Sequence, residues 1–149
     1  MTDIITNPEF SKLVSSLGAD VTPSSPTSVD FVFEDDLPAR LTLHPNGADV
    51  VVDGFAYDAS ELTGKRQEVV LDLLLRLNAL GIRGRFFAIG IDPRGFVAVT
   101  SRAPIAGLDR DGLLGLITYV SDQSRRVRTL ISSLAPAELT QSYSLVDEG

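Results

Sequence analysis

The segment VVLDLLLRLNALG, residues 69–81, contains six leucines and two valines but only two charged residues. At about 100° per residue, an α-helix places these side chains on two adjacent apolar stripes. The first stripe consists of Val69, Val70, Leu73, Leu77 and Leu80. The second consists of Leu71, Leu74, Leu75 and Asn78. One stripe can pack on a sheet in a domain of this size, so the other needs a second partner.

Two interpretations of the second stripe remain open on periodicity alone. In the first, the C-terminal helix of the same chain covers it. In the second, it meets its own copy in a two-fold dimer, which requires a self-complementary patch. The polar Asn78 at the edge of this stripe would then fix the register between the two copies. The pattern favours the dimer over the intramolecular arrangement.

The rest of the chain is typical of helices combined with antiparallel strands. Asn7 and Pro8 mark the start, and Gly18 the end, of a helix over 7–18, followed by a loop to residue 28. Alternating apolar residues predict strands over 28–34, 39–44, 48–57, 83–91 and 95–101. Two further helices are predicted over 64–80 and 109–134. The order α-β-β-β-α-β-β-α predicts an α+β fold with an antiparallel twisted sheet packed against helices, in a homodimer.

The chain of 149 residues has the length of one domain. We assign residues 1–135 to a single α+β domain and residues 136–149 to an acidic, disordered tail. The first ten residues, MTDIITNPEF, lack the basic and long apolar regions of a secretory signal. No apolar run approaches the roughly 20 residues that a membrane helix needs. We therefore expect a cytoplasmic protein without membrane insertion.

Charge is distributed unevenly along the chain. The formal net charge is −7, whereas residues 1–62 alone carry −9, from eleven acidic and two basic residues. Because an acidic half repels phosphate backbones, nucleic acid is not an expected partner. Arg125, Arg126 and Arg128 form one basic cluster in the last helix, which we interpret as a solvated helix face.

No residue pattern indicates an active site or a metal site. The chain has no cysteine, and its one histidine, His44, stands beside a Pro-Asn-Gly turn. The acidic run at Glu34, Asp35 and Asp36 lacks the spacing of a calcium loop, so we interpret it as a solvated turn. An enzyme that uses these carboxylates would need a pocket that perturbs them, and we consider it the weakest interpretation. We predict a binding protein without catalytic activity, cofactor or metal.

The element order over residues 7–134, the acidic composition and the absence of cysteine resemble the class I type III secretion chaperones, the CesT/Tir-chaperone family. The helices at 64–80 and 109–134 are the segments most similar to that family. The resemblance implies a cytoplasmic homodimer in a bacterium with a type III secretion system. It also implies that the dimer binds the N-terminal chaperone-binding region of one or a few effectors in extended form, which keeps them soluble and competent for secretion. Components of the secretion apparatus are further expected partners.

The resemblance also implies roles for particular residues. The dimer contact would use the middle helix and the strand that follows it, through Leu71, Leu74, Leu75, Asn78 and Phe86. The effector-binding surface would use the first helix and the first strands, through Leu13, Val14, Leu17, Val32 and Val51. Val32 and Val51 are apolar residues on strand faces that strict alternation assigns to polar side chains.

A second class of protein shares this layout. A regulatory or adaptor domain such as the YbjN-like proteins would have a similar fold and could share the dimer, but it would have no effector client. The sequence does not separate these two classes.

Overall fold

The structure is a computed structural model that describes residues 7–18, 20–34, 36–81 and 87–134. Its architecture is α+β, which confirms the predicted fold class. Three helices and six strands occur in this part of the chain. In chain order they are α1 (Pro8–Ser16), β1 (Thr22–Ser25), β2 (Ser28–Val32), β3 (Pro38–Leu43), β4 (Asp49–Asp58), α2 (Gly64–Gly81), β5 (Ala88–Ile91), β6 (Phe96–Pro104) and α3 (Arg110–Leu134).

The six strands form one antiparallel sheet in the order β1-β2-β3-β4-β6-β5. Regular registers join the central strands, in which Val29 lies opposite Leu41 and Leu41 lies opposite Val52. Side chains alternate between the faces of a sheet, so these three paired residues share one face. That face is buried along β3, at Ala39, Leu41 and Leu43, and along β4, at Val50 and Val52. The opposite face of the same strands is half-exposed, and we call it the open face.

Strand β1 corrects the sequence prediction, which assigned residues 18–28 to a loop. Pro23 and Pro26 and a run of hydroxyl residues disfavour a regular strand at this place. The segment is extended because it completes a tight hairpin with β2, in which Ser25 lies opposite Ser28. Tertiary pairing therefore overrides local propensity. The predicted strand 83–91 is described from residue 87 onward, and residues 83–86 and the predicted tail 136–149 lie outside the described residues.

Two compact units make up the chain. The first contains the chain up to Gly54 together with Thr100–Asp122. Here Asn7 caps α1 by accepting a 3.0 Å hydrogen bond from the Phe10 backbone N–H, as its position before Pro8 predicts. The buried side of α1 consists of Phe10, Leu13 and Val14. The Arg110 Nε donates a 3.1 Å hydrogen bond to the Ser16 carbonyl, which joins the start of α3 to the end of α1.

The second unit contains Phe55–Val99 and the chain from Gln123 onward. Its strands β5 and β6 are joined by a turn over residues 92–95, which is closed by a 2.9 Å hydrogen bond from the Gly95 N–H to the Asp92 carbonyl. Gly95 has φ +92°, and a Cβ at this position would lie 2.8 Å from the Cβ of Ser60. Both the conformation and the space require glycine here. The turn therefore packs directly on the chain that follows β4.

Helix α3 begins where the sequence predicts. The Asp109 carboxylate accepts a 2.8 Å hydrogen bond from the Gly112 backbone N–H and so caps the helix. Its apolar stripe is buried along the whole helix, at Leu113, Leu116, Val120, Val127 and Ile131. The predicted helical spacing of these residues is therefore a core pattern.

A candidate protein-binding surface

Helix α2 presents apolar side chains to solvent. Leu75 is 70% exposed and Leu71 is 40% exposed, whereas Leu74 is only 3% exposed and Val70 is buried. The buried side of α2 therefore contains one residue from each of the two predicted stripes, Val70 and Leu74, and the predicted boundary between the stripes is wrong. What remains outside is the pair Leu71 and Leu75, one helical turn apart. A 3.0 Å ion pair between Asp72 and Arg76 lies beside them.

Asn78 is bonded to the backbone of its own chain. Its Nδ2 donates to the Ile89 carbonyl at 2.7 Å, and its Oδ1 accepts from the Ile89 N–H at 2.6 Å. This pair of bonds fastens α2 to strand β5. Because Leu74 is buried and the Asn78 amide is engaged, the outward residues among the predicted dimer contacts are Leu71 and Leu75. Phe86, the remaining predicted contact, lies outside the described residues.

The residues that we predicted to bind a partner differ in exposure. Leu13 and Val14 are buried in α1, and Leu17, which follows the helix, is half-buried. Val32 at the end of β2 is 60% exposed. Val51 lies on the open face, where it is half-buried opposite Thr42. Of the five residues, Val32 is thus the one that offers a large apolar contact without rearrangement.

In the first unit the open face carries charged and polar side chains. Asp30 on β2 pairs with Arg40 on β3 through a 2.7 Å ion pair. Arg40 lies opposite Asp53 on β4, whose carboxylate accepts a hydrogen bond from the Thr100 hydroxyl. One row across this face therefore alternates in charge, with Asp30, Arg40 and Asp53 each contributed by a different strand. Val32 lies on the same face as Asp30 because the two residues are two positions apart in one strand, with Phe31 between them.

In the second unit the open face carries an aromatic cluster that sequence reasoning missed. The rings of Phe55 and Phe96 meet edge to face with centroids 6.2 Å apart. The Arg94 guanidinium lies 4.7 Å from the Phe55 centroid and 5.1 Å from that of Phe96. Such contacts combine apolar packing with attraction between a cation and a ring. The signal in the sequence is weak, because Phe55 and Phe96 are far apart along the chain and come together only when β4 and β6 become neighbours in the sheet.

Asp92 organises the turn below this cluster. Its carboxylate accepts hydrogen bonds from the backbone N–H groups of Arg94 and Phe96 and from the Arg94 guanidinium, at 2.9–3.1 Å. Burial alone would raise the pKa of Asp92. The hydrogen bonds from Phe96 and Arg94 and the positive charge of Arg94 together outweigh burial, so the pKa is lowered from its ordinary value of 3.8. These contacts make the Asp92 carboxylate a structural part of the turn.

The described titratable side chains that the sequence singles out lie in turns or at the surface. No group of three or more His, Cys, Asp or Glu side chains in this part of the chain could hold a metal ion. His44 uses its Nδ1 to accept a 3.1 Å hydrogen bond from the Asn46 backbone N–H within a turn. Glu34 and Asp36 are both exposed. Over the same residues, none of the helices combines the length and the apolar character needed to cross a bilayer.

The fold is that of the type III secretion chaperones of known structure. A chain of the ExsC–ExsE complex matches with a TM-score of 0.65 at 14% identity, over 84% of this chain and 92% of that chain. A chain of the HopA1–SchA chaperone–effector complex matches with a TM-score of 0.55 at 14% identity, over 80% and 90%. The Yersinia pestis type III secretion chaperone SycH, solved with a stable fragment of YscM2, matches with a TM-score of 0.56 at 16% identity, over 81% and 98%. Neither a family model nor a curated protein sequence matches the chain.

Proposed function

We propose that this protein is a type III secretion chaperone that binds the N-terminal segment of one or a few effectors in extended form. The observation that carries the proposal is the combination of this fold with exposed apolar residues at two separate places, Val32 on β2 and the pair Leu71 and Leu75 on α2. The similar structures are complexes, among them one of a chaperone with its effector. The function of these similar proteins supports the function that we propose by analogy of fold.

The α2 pair is the contact between two copies of the chain in this proposal. A two-fold interface is built from the same patch on both subunits, and two leucines one turn apart form such a self-complementary patch. Full burial of an exposed leucine gains about 1.5–3 kcal/mol, so covering the parts of Leu71 and Leu75 that are exposed would contribute to the stability of a dimer. Leu74 and Asn78 support the contact from behind, and Phe86 stays a predicted member of it.

The effector segment lies on the first unit in this proposal. An extended segment places an apolar side chain on Val32. The half-buried Val51 on β4, which lies in line with Ser28 at the other end of β2, and the half-buried Leu17 are further predicted contacts of the same segment. Leu13 and Val14 are buried in α1, so they would contact the segment only after a rearrangement of that helix. A disordered segment loses conformational entropy on binding, so a long interface with several such contacts is needed for useful affinity. The protein acts in the bacterial cytoplasm, without catalysis, and its partners also include components of the secretion apparatus.

The net charge of residues 1–62 selects the chemistry of the client. With a net charge of −9, this part of the chain favours segments rich in Lys and Arg. Electrostatic complementarity of this kind raises the rate of association and depends on salt. Binding is therefore expected to weaken as ionic strength rises.

The test is co-expression with the N-terminal segments of the large proteins encoded beside this one. We expect at least one segment to co-purify with the wild-type protein, and we expect Val32→Asp to remove it. Leu130→Asp is the matched control, because Leu130 is, like Val32, an exposed aliphatic side chain, but it lies on α3 and outside the proposed binding surface. A folded dimer that retains none of these segments would contradict the chaperone and would favour an adaptor without a client. If Val32→Asp still retains the segment, the binding surface does not include Val32.

A further inference from the structure

The two outer strands of the sheet are protected by different means. Directly after β5, the Asp92 N–H donates to the Phe96 carbonyl on β6, so alternation along the chain directs the backbone groups of Ile89 away from β6. Asn78 takes both of those groups. The outer edge of β5 is thus closed at Ile89 by a side chain of a long helix. Edge strands need such protection because their free backbone groups pair readily with other chains.

Strand β1 forms the other outer edge, and its attachment is slight. It has four residues, of which Thr22, Pro23 and Ser24 are exposed. Pro23 has no backbone N–H to donate, and the register is irregular between Pro23 and Ser25. The side-chain bonds that tie it to β2 run between hydroxyl groups, with Ser24 and Ser25 each 2.8 Å from the hydroxyl oxygen of Ser28. Segments with few buried apolar contacts open at a small cost in free energy.

Strand β2, which β1 covers, is by contrast firmly held. Its odd-numbered residues face β3, because the Leu43 N–H bonds to the Thr27 carbonyl and the Phe33 N–H bonds to the Leu37 carbonyl. Its even-numbered residues therefore turn their backbone groups toward β1. The register with β1 ends at the pair Thr22 and Asp30, so β1 stops short of Val32. The edge of β2 at Val32, its most exposed residue, therefore lies beyond the end of β1 and is not paired with it.

We infer that β1 is an exchangeable strand that occupies a binding edge in the free chain. An extended segment of a partner pairs with β2 at Ser28–Val32, displaces Thr22–Ser25 and places an apolar side chain on Val32. The cost of displacing β1 stays small, because the backbone hydrogen bonds lost from β1 are replaced by those of the partner. Until then β1 prevents the same edge from pairing with other copies. The identity of the partner rests on the proposed function, whereas the opening of β1 does not.

The first test measures the opening of β1 without any partner. In native-state hydrogen exchange, the amide hydrogen of Asp30, which faces β1, should exchange at least ~100-fold faster than that of Phe31, which faces β3. The variant Thr22→Cys/Asp30→Cys joins a register pair, and the chain contains no other cysteine. Oxidation should abolish the difference, and reduction should restore it. Equal exchange of the two amides in the wild type would overturn the inference, because β1 would then open only with the whole protein.

The second test uses random linear peptides displayed on phage and selected against the reduced double variant. We expect the selected peptides to bind the oxidised form at least ~10-fold more weakly, since a covalent bond prevents the displacement. Thr22→Cys alone and Asp30→Cys alone, treated with the same oxidant, are the controls and should bind without change. Equal affinity in both redox states, or no selected peptide, would overturn the inference. Co-purified effector segments that bind equally well when the disulfide between residues 22 and 30 is formed would also overturn the inference. They would leave the chaperone proposal intact.

Discussion

Helices α2 and α3 carry apolar residues at the same helical spacing, but the chain covers them to different extents. Along α3, the stripe from Leu113 to Ile131 is buried throughout. Along α2, Val70 and Leu74 are buried, while Leu71 and Leu75 remain on the outside. A periodic pattern shows how many faces of a helix are apolar. It does not show which of those faces the same chain covers, and the uncovered one is the candidate for a partner.

The largest expected effect concerns the buried side of both helices. Leu116→Ala in α3 and Leu74→Ala in α2 should each lower the free energy of unfolding by about 2–5 kcal/mol, since each leaves a cavity in a packed environment. Urea denaturation followed by circular dichroism measures this loss. Leu130→Ala, at an exposed position of α3, is the matched control and should stay within about 0.5 kcal/mol of the wild type. A neutral Leu74→Ala would show that α2 is not anchored through this residue.

A smaller effect is expected where α2 is fastened to β5. Asn78→Ala removes both hydrogen bonds to Ile89 and leaves two backbone groups at a sheet edge, so we expect a loss of about 1–3 kcal/mol. The free edge should also make the variant aggregate at lower concentration. Gln67→Ala, at an exposed position of the same helix, is the control. Wild-type stability and solubility of Asn78→Ala would contradict the role that the structure gives to this amide.

The smallest effect is a pH dependence of stability that arises at the turn between β5 and β6. Helix α2 is bonded to β5 through Asn78, so this turn belongs to the region that carries α2. Because the pKa of Asp92 is lowered in the folded protein, its carboxylate stabilises the fold above its ordinary pKa of 3.8. This contribution is lost as the pH falls through the lower, folded value. The wild type should therefore be more stable than Asp92→Asn at pH 7, and the difference should shrink below about pH 4. Urea denaturation of both proteins at pH 7 and pH 3 measures this, and a difference that grows in acid would contradict it.

Local signals in the sequence predicted much of the fold. Asn7 and Asp109 start helices. Alternation in β2, β3 and β4 separates a buried face from an open one, and it places Val32 on β2 and Val51 on β4 on the open side. Strand β1 was not predictable because its residues disfavour a strand and only pairing with β2 extends it. The bonds of Asn78 were equally hidden, since its partner is the backbone of Ile89, eleven residues away. Exposure of Leu75 rather than Leu74 depends on how α2 is rotated, and a pattern with two apolar stripes leaves that rotation open.

The most direct test of the account is the mass in solution of three purified proteins, measured by light scattering at micromolar concentration. We predict a wild-type mass close to twice 16.0 kDa. Leu75→Asp should fall to the mass of one chain, because the charge would be buried at a two-fold contact. Leu130→Asp, which changes an exposed leucine on α3, should remain a dimer. A wild-type protein with the mass of one chain, or a Leu75→Asp variant that remains a dimer, would contradict the assignment of the exposed face of α2 to a second copy.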